Sequence, residues 1–421
     1  MRNLGKNNFK KTLQSEIERI DSAKITKRHE KIIEGFTMHD SPRAIINGKD
    51  ILIFNSNDYL GLRFNKKLKK AEHDASKKYG SGPGAVRFIS GTLKIHKELE
   101  QEIAKFHGRE DAIIFSSAFA LNFGVLHSMI KGQSKDSLVS DNTLVISDEL
   151  NHRSIIDGIR VAGLPKENKA IFKHLDIDDL KRVLEENKGK FKRVLIISDG
   201  IFSMLGEFQN IANMQSVAEH YDQFYEEGVI TVIDDAHGVA AFGKSGRGCE
   251  EYTKGRCDLL LGTFGKGFGV DGGYAVGDKI YIDYLRESAA TYIFSNPISP
   301  GTAGAALAAV KLVDSRSGKS MINKLNKNIT YFKEKMFEAG FSFAAMSRHA
   351  IQPILIGDAE KTKALTDKLF EKGILVTNIN YPVVQKGRDE IRVQLSALHT
   401  VEDIDIFVNT AKEVAKELGI I

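Results

Sequence analysis

Five short apolar segments in the middle of the 421-residue chain constrain its fold more than any other feature. Each is a nearly continuous run rich in Val, Ile and Leu, whereas a strand with one solvent-facing side alternates apolar and polar residues. Helical stretches separate the segments, so the pattern predicts an α/β fold with a mostly parallel central sheet. The segments are Asp111–Ser117, Leu144–Ser147, Arg193–Ser198, Val229–Asp234 and Asp258–Gly262.

The sequence changes character after about residue 300. A helix of small residues and a long charged helix come first, and strand-like segments then alternate with helical stretches. We therefore predict three regions: an N-terminal helix and strand over 1–55, a large domain over 56–300, and a smaller C-terminal α+β domain over 301–421.

Composition argues against several classes of protein. The net charge of +5 is spread over 60 basic and 55 acidic residues, which is not the concentrated basic face that nucleic-acid binding needs. No apolar stretch approaches the roughly 18 residues of a membrane span, and the charged N-terminus lacks the apolar core of a secretory signal. We expect a cytoplasmic protein with no metal site, because Cys249 and Cys257 have no partners at metal-ligand spacing.

Each apolar segment ends in polar residues or glycine, at the edge of the sheet where α/β proteins bind their ligands. The last one continues into Thr263-Phe264-Gly265-Lys266, which places a lysine directly after a buried strand. A partly desolvated amine has a lowered pKa and is able to form a Schiff base with an aldehyde. An ordinary lysine in a glycine-rich loop is the alternative explanation.

A carboxylate at a neighbouring strand end indicates a cofactor for that lysine. Asp234 ends the fourth segment, and a carboxylate there keeps a pyridine nitrogen protonated, as pyridoxal 5'-phosphate (PLP) requires to act as an electron sink. His237 would then hydrogen-bond the phenolic oxygen of the ring. A helix N-cap aspartate followed by a loop histidine is the alternative explanation.

Other strand ends offer candidate contacts for the rest of such a cofactor. The junction at Ser117, Ala118 and Phe119 would present backbone N–H groups and a helix dipole to the phosphate, and Thr263 would add a hydroxyl. His152, after the second segment, would stack on the ring. Each signal is weak alone, because Ser and Thr commonly cap helices and a lone histidine is more often structural.

One arginine interrupts an otherwise apolar C-terminal segment. Arg392 lies between Ile391 and Val393, and burying a guanidinium without a partner is costly. We therefore expect a carboxylate, from the protein or from a substrate, to pair with Arg392.

These residues belong to a longer series of motifs that resembles the α-oxoamine synthase family of PLP enzymes, whose members condense an amino acid with an acyl-CoA thioester. The resemblance extends from about Ser56 to the C-terminus and rests on many motifs in one order. They include Asn57–Leu62, Val86–Thr92, His96–Glu100, Ser147–Arg160, Asp199–Met204, Asp234–His237, Thr263–Gly269, Tyr292–Pro300 and Ile391–Thr400.

The resemblance implies a PLP fold type I homodimer with its active site at the subunit interface. It implies catalytic roles for Lys266, which carries the Schiff base, and for His152, Asp234 and His237. The implied cofactor contacts are Ser117, Ala118, Phe119, His152, Ser203, Asp234, His237, Thr263 and Lys266, with Ser295 and Asn296 reaching in from the second subunit. The implied substrate contacts are Asn57, His152 and Arg392.

Within that family the motifs are most similar to glycine C-acetyltransferases, also called 2-amino-3-ketobutyrate CoA ligases. The implied reaction joins glycine to a short acyl-CoA such as acetyl-CoA, or cleaves 2-amino-3-oxobutanoate with CoA. Two alternatives stay open: a decarboxylating condensation of alanine with a pimeloyl thioester, as in 8-amino-7-oxononanoate synthase, and a CoA-independent PLP aminotransferase. Leu205 departs from the acidic residue of many relatives, and Lys27 and Arg28 are candidate cations for a long acyl chain that ends in a carboxylate.

Overall fold

The computed structural model describes residues 4–22, 26–28, 30–134, 136–381 and 383–421. The chain divides into two compact units, one that extends to Leu52 and one from Ile53 to Ile421. The domain boundaries at 55/56 and 300/301 remain predictions. No helix within the described ranges is long and apolar enough to cross a membrane.

The first unit contains one helix and a meander of three short antiparallel strands. Their bounds are Leu4–Ser22 (α1), Gly35–Met38 (β1), Pro42–Ile46 (β2) and Lys49–Ile53 (β3). Asn47 and Gly48 connect β2 to β3 with φ angles of 51° and 68°, the left-handed turn that Asn-Gly favours in hairpins. The sequence predicted one strand here, although this dipeptide signals two.

The second unit is built on a seven-stranded sheet. Its strands are β4 (Asp111–Phe115), β5 (Thr143–Asp148), β6 (Lys169–Phe172), β7 (Arg193–Asp199), β8 (Val229–Asp234), β9 (Leu259–Thr263) and β10 (Gly273–Gly277). They lie in the order β4-β10-β9-β8-β7-β5-β6. Only β10 runs in the opposite direction to the other strands of this sheet. The predicted mostly parallel α/β fold is therefore confirmed.

The five predicted strands correspond to β4, β5, β7, β8 and β9. Strands β5, β7 and β9 are buried along their whole length, which is why their sequences show no alternation. The sequence did not predict the exposed edge strand β6 or the glycine-bounded β10. Gly273 has a structural reason, because a Cβ there would lie 2.7 Å from the backbone nitrogen of Ala118.

Helices precede, connect and follow these strands, and several of them pack against the sheet. They are α2 (Lys66–Tyr79), α3 (Lys94–His107), α4 (Ala118–Ile130), α5 (Arg153–Val161), α6 (Ile177–Glu186), α7 (Ile211–Asp222), α8 (Cys249–Thr253), α9 (Lys279–Ser288), α10 (Ala290–Ile293) and α11 (Pro300–Val313). The core includes the apolar face of α4 and the inner residues of the sheet, such as Ile113, Val125, Leu195 and Leu261.

The C-terminal part of the second unit carries a four-stranded antiparallel sheet. Its strands, labelled in chain order, lie side by side as β11-β12-β15-β14. These elements are α12 (Arg316–Glu338), β11 (Ser342–Phe343), β12 (Ile351–Leu355), α13 (Ala359–Glu371), β13 (Ile374–Leu375), β14 (Thr377–Ile379), β15 (Glu390–Gln394) and α14 (Val401–Glu417). This is the predicted smaller C-terminal domain. Strand β15 lies inside the sheet and carries Arg392.

Candidate active site

The ends of five strands meet around one small cavity of about 40 Å³. All five predicted strand ends contribute residues to it. The lining residues are Ala118, Phe119, His152, Ser154, Asp199, Ile201, Ser203, Asp234, Ala236, His237 and Lys266. Seven of the residues chosen from the sequence therefore lie together.

Lys266 is the cation of this cavity. It follows β9, and a hydrogen bond of 2.8 Å from the Gly269 nitrogen to the Lys266 carbonyl closes the turn around it. Burial lowers the pKa of Lys266 to about 8, against the opposing charges of Asp234 and Asp199. A larger fraction of this lysine is therefore neutral near pH 7 than of an exposed lysine, and a neutral amine can attack an aldehyde or accept a proton.

Asp234 ends β8 and is held by two hydrogen-bond donors. The Asn122 side-chain nitrogen donates to Oδ2 at 2.6 Å, and the Ala236 backbone nitrogen donates to Oδ1 at 3.0 Å. Both donors stabilise the ionised form of the carboxylate. That form is the one that a protonated ring nitrogen needs as its partner.

His237 is buried, and a tyrosine fixes its ring. The Tyr59 hydroxyl contacts Nδ1 at 2.7 Å, and His349 Nε2 hydrogen-bonds the His237 carbonyl at 2.9 Å. Burial, together with the positive charges of Lys266 and Arg392, holds the pKa of His237 well below its usual value. The imidazole is therefore neutral, and Nε2 is the ring nitrogen available for a further hydrogen bond.

His152 caps α5 and lines the same cavity. Its Nδ1 bonds the Ser154 hydroxyl at 2.7 Å, and its backbone nitrogen donates to Asp199 Oδ2 at 3.0 Å. Burial lowers the pKa of His152, so its ring is a neutral aromatic surface suited to stacking. Burial and the charge of Asp234 raise the pKa of Asp199 well above its usual value.

The predicted phosphate contacts divide into two groups. Ser117 caps α4, and its hydroxyl accepts a bond of 3.1 Å from a backbone N–H in the first turn. Ala118 and Phe119 begin the helix, so their N–H groups have no partner inside it and suit an anion. Thr263 is outside the cavity wall and donates its hydroxyl to the Gly272 carbonyl at 2.8 Å. A phosphate contact from Thr263 stays a prediction. The Thr263 hydroxyl proton already forms the hydrogen bond to Gly272.

The predicted substrate contacts Asn57 and Arg392 lie beside the cavity, outside its described wall. Arg392 Nε donates to the Ser203 carbonyl at 2.6 Å, and Ser203 lines the cavity. Asn57 Oδ1 accepts a hydrogen bond from Gln394 and lies 3.2 Å from the Tyr59 hydroxyl. Tyr59 therefore contacts both a predicted substrate residue and the predicted cofactor residue His237.

Two other pairs of sequence assignments stay predictions. Ser295 and Asn296 follow α10 and do not line the cavity of their own chain, as expected if they serve a second subunit. Lys27 and Arg28 lie in the first unit, where Arg28 pairs with Asp21.

A second and larger cavity, of about 740 Å³, lies between α12 and residues 242–254. Its basic side chains include Lys244, Lys333 and Arg348. It shares no lining residue with the cavity of Lys266. The size of a cavity therefore does not locate the site. The predicted catalytic and cofactor-binding residues line the smaller cavity.

Sequence reasoning missed the residues that hold the others in place. Asp199 pairs in register with Asp234, so the strand-end rule could have selected it. Tyr59 lies within a motif whose asparagine alone was selected. Asn122 and His349 carry no local signal, because each contacts a residue 112 positions away in the chain.

The donor set fits PLP. Its aldehyde requires an amine, its ring nitrogen a carboxylate, its phenolic oxygen a hydrogen-bond donor, its ring an aromatic surface and its phosphate a set of N–H groups. Lys266, Asp234, His237, His152 and the first turn of α4 supply one of these each. Asp234, whose carboxylate is held by two donors, is the most specific element of this match.

Comparisons with known proteins agree with the fit. The family described as aminotransferase class I and II matches residues 49–410. An 8-amino-7-oxononanoate synthase from Treponema denticola is 40% identical over 380 residues, which cover 90% of this chain and 91% of that protein. One from Thermosipho melanesiensis is 40% identical over 387 residues, with coverage of 91% and 93%. The chain belongs to the PLP-dependent α-oxoamine synthases.

A solved serine palmitoyltransferase from S. paucimobilis, with a bound PLP–myriocin aldimine, is 25% identical to this α-oxoamine synthase, with a TM-score of 0.85 and coverage of 97% and 98%. An 8-amino-7-oxononanoate synthase from Francisella tularensis has a TM-score of 0.70 at 24% identity and shows the fold alone. The predicted family, fold type I and PLP cofactor are confirmed. Similarity to glycine C-acetyltransferases in particular is not supported, because the relatives above are 8-amino-7-oxononanoate synthases.

Proposed function

We propose that this PLP-dependent C-acyltransferase condenses alanine with a pimeloyl thioester and releases carbon dioxide and the free thiol, the 8-amino-7-oxononanoate synthase reaction. The observation that carries the proposal is the 40% identity to such synthases over nine-tenths of the chain. The glycine and acetyl-CoA reaction suggested by the sequence motifs becomes the second candidate.

The substrate carboxylate is assigned to Arg392 and Asn57. A guanidinium offers a fork of N–H donors that matches a carboxylate, and Arg392 uses only Nε in its bond to Ser203. PLP, when bound, supplies an aldehyde that captures the substrate amine and a ring that withdraws electrons from the α-carbon. The Asn57 amide nitrogen remains a donor, because the side-chain oxygen already accepts a hydrogen bond from Gln394.

The proton transfers are assigned to Lys266, whose lowered pKa suits an amine that alternates between neutral and charged forms. Asp234 holds a positive charge at the ring nitrogen, and neutral His237 donates a hydrogen bond to the ring oxygen. These roles are proposals for this chain's own residues.

The site is also proposed to be completed by a second copy of the chain. Ser295 and Asn296 lie away from the cavity of their own subunit, and Phe294 beside them is 68% exposed. An exposed aromatic next to two predicted phosphate ligands suits a subunit interface. A homodimer in solution is the expected state.

One assay separates the candidates. Purified enzyme with PLP is given alanine or glycine, each with pimeloyl or acetyl thioester, and thiol and carbon dioxide are both measured. We expect both products from alanine with the pimeloyl thioester, and neither from Lys266→Ala. Thiol release from glycine and acetyl-CoA without carbon dioxide would select the second candidate. Amino-group transfer to a keto acid without any thioester would select an aminotransferase and refute both.

A further inference from the structure

A buried glutamate near the proposed substrate-binding arginine lacks hydrogen-bond partners. Glu390 is 0% exposed, and neither of its carboxyl oxygens accepts or donates a hydrogen bond to any described residue. Buried polar groups in native proteins are nearly always hydrogen-bonded, so each exception needs an explanation. The roles proposed above use Arg392 on the same strand and give Glu390 none.

Glu390 and Arg392 lie two residues apart on β15, so their side chains emerge on the same face of the strand. Arg392 forms no ion pair with a carboxylate in the described part of the chain, and its hydrogen bonds go to the Ser203 carbonyl and the Tyr59 hydroxyl. Burial lowers the pKa of Arg392, and the charges of Tyr59 and Glu390 oppose that effect. Glu390 is therefore the acidic side chain that acts on this guanidinium.

The surroundings of Glu390 contain few other charges. Strands β12 and β14 flank it, and neither carries a titratable residue. Arg388 and Arg392 favour its ionised form, while Glu207 opposes it. Burial outweighs these charges and raises the pKa of Glu390 to about 8. A carboxyl of this kind exchanges its proton close to neutral pH.

We propose that Glu390 is a positioning residue for Arg392: its ionised form is the counter-charge of that guanidinium, and this form takes up a proton when the substrate carboxylate binds there. This inference rests on the proposed role of Arg392. Where Glu390 is ionised, the proton comes from solvent and adds to a Glu390 oxygen, so the pocket then holds one negative charge before and after binding. The substrate carboxylate replaces Glu390 as the counter-charge of Arg392.

The proposal fixes the sign of a pH dependence. Below pH 8 Glu390 is protonated and Arg392 is free to receive a carboxylate, whereas above pH 8 the ionised Glu390 competes for the guanidinium and repels the substrate. Affinity for the amino acid therefore falls as pH rises through about 8. Glu390→Gln keeps the shape of the side chain and removes the titration.

The experiment measures alanine binding to the PLP-loaded enzyme between pH 7 and 9, for wild type, Glu390→Gln and Glu334→Gln. We expect wild type and Glu390→Gln to have similar dissociation constants at pH 7, and wild type to bind about tenfold more weakly than Glu390→Gln at pH 9. Titration of the alanine amine is common to all three proteins and cancels in the ratio. Glu334 is exposed on α12, so its variant should follow wild type.

Calorimetry in buffers of different ionisation enthalpy gives a second readout on wild type alone, with no variant required to fold. We expect proton uptake on alanine binding to be larger at pH 9 than at pH 7. Equal pH dependence in wild type and Glu390→Gln would overturn the proposal, and so would the absence of this increase. Arg392→Lys tests the underlying role: unchanged alanine affinity there would remove Arg392 from substrate binding, which is a different failure.

Discussion

Replacing Lys266 with methionine should stabilise the PLP-free protein at neutral pH. Burial lowers the pKa of Lys266 from 10.5 to about 8, so the folded protein disfavours the charged ammonium relative to the unfolded chain. At about 1.4 kcal/mol for each pKa unit, the cost at pH 7 is about 3 kcal/mol. Methionine has a similar length and carries no charge, so Lys266→Met avoids that cost.

The same reasoning fixes how the effect varies with pH. Between pH 8 and 10.5 the unfolded chain binds more protons at this residue than the folded protein does, so wild-type stability rises with pH across that window. Above pH 10.5 the lysine is neutral in both states and the penalty disappears. The stability advantage of Lys266→Met should therefore shrink from about 3 kcal/mol at pH 7 towards zero near pH 11.

Urea unfolding of the PLP-free proteins, at one fixed protein concentration and several pH values, measures this difference. Lys324→Met is the matched control, because Lys324 is exposed on α12 and its replacement should give no pH-dependent gain. A Lys266→Met protein no more stable than wild type at pH 7 would refute the reasoning. A gain that is the same at every pH would also refute it, since packing alone would then explain the change.

Three further substitutions test other parts of the structure. Tyr59→Phe should lower kcat tenfold to a hundredfold, because leaving His237 without its partner costs about 1–3 kcal/mol; unchanged kinetics would contradict this. Glu100→Gln should lower the free energy of unfolding by about 3–5 kcal/mol, because Arg87 and Arg286 both lose Glu100 as their counter-charge. A loss below about 1 kcal/mol in urea unfolding would contradict this reasoning. Hydrogen bonds to two acidic residues outweigh burial and raise the pKa of His174 to about 9, so its stabilisation is complete below pH 6.5 and is lost as pH rises through 9. His174→Gln should remove that decline from urea unfolding curves, and an unaltered decline would show that other groups cause it.

The sheet and the site were predictable to different depths. Strands such as β5 and β9 have both faces buried, so composition alone predicts them, whereas β6 lies at an exposed edge and β10 is bounded by glycines. The residues that point into the cavity follow strand ends, and parallel strands end at one edge. That is why Lys266, Asp234 and His237 were found together.

The supporting residues could not be found in this way. Asn122 on α4 holds Asp234 at the end of β8, and Tyr59 holds His237 across 178 positions of the chain. Contacts over such distances depend on the folded arrangement and leave no periodic pattern in the sequence. The acyl substrate could not be predicted in this way either, because the same PLP-site residues serve condensations of glycine and of alanine. The sequence motifs favoured the glycine reaction, whereas the relatives are named for the alanine reaction.

The hydroxyl of Tyr59 lies between a predicted substrate residue, Asn57, and a predicted cofactor residue, His237, and it has one proton to donate. Burial raises its pKa to about 12, so the phenol stays protonated and has one hydrogen to donate, either to Asn57 Oδ1 at 3.2 Å or to His237 Nδ1 at 2.7 Å. Donation to Asn57 would require Nδ1 to carry the proton, and Nε2 could then only accept. A ring oxygen with negative charge needs a donor at Nε2, so Tyr59 must donate to His237. Asn57 Oδ1 is then left to Gln394, whose side chain already donates to it.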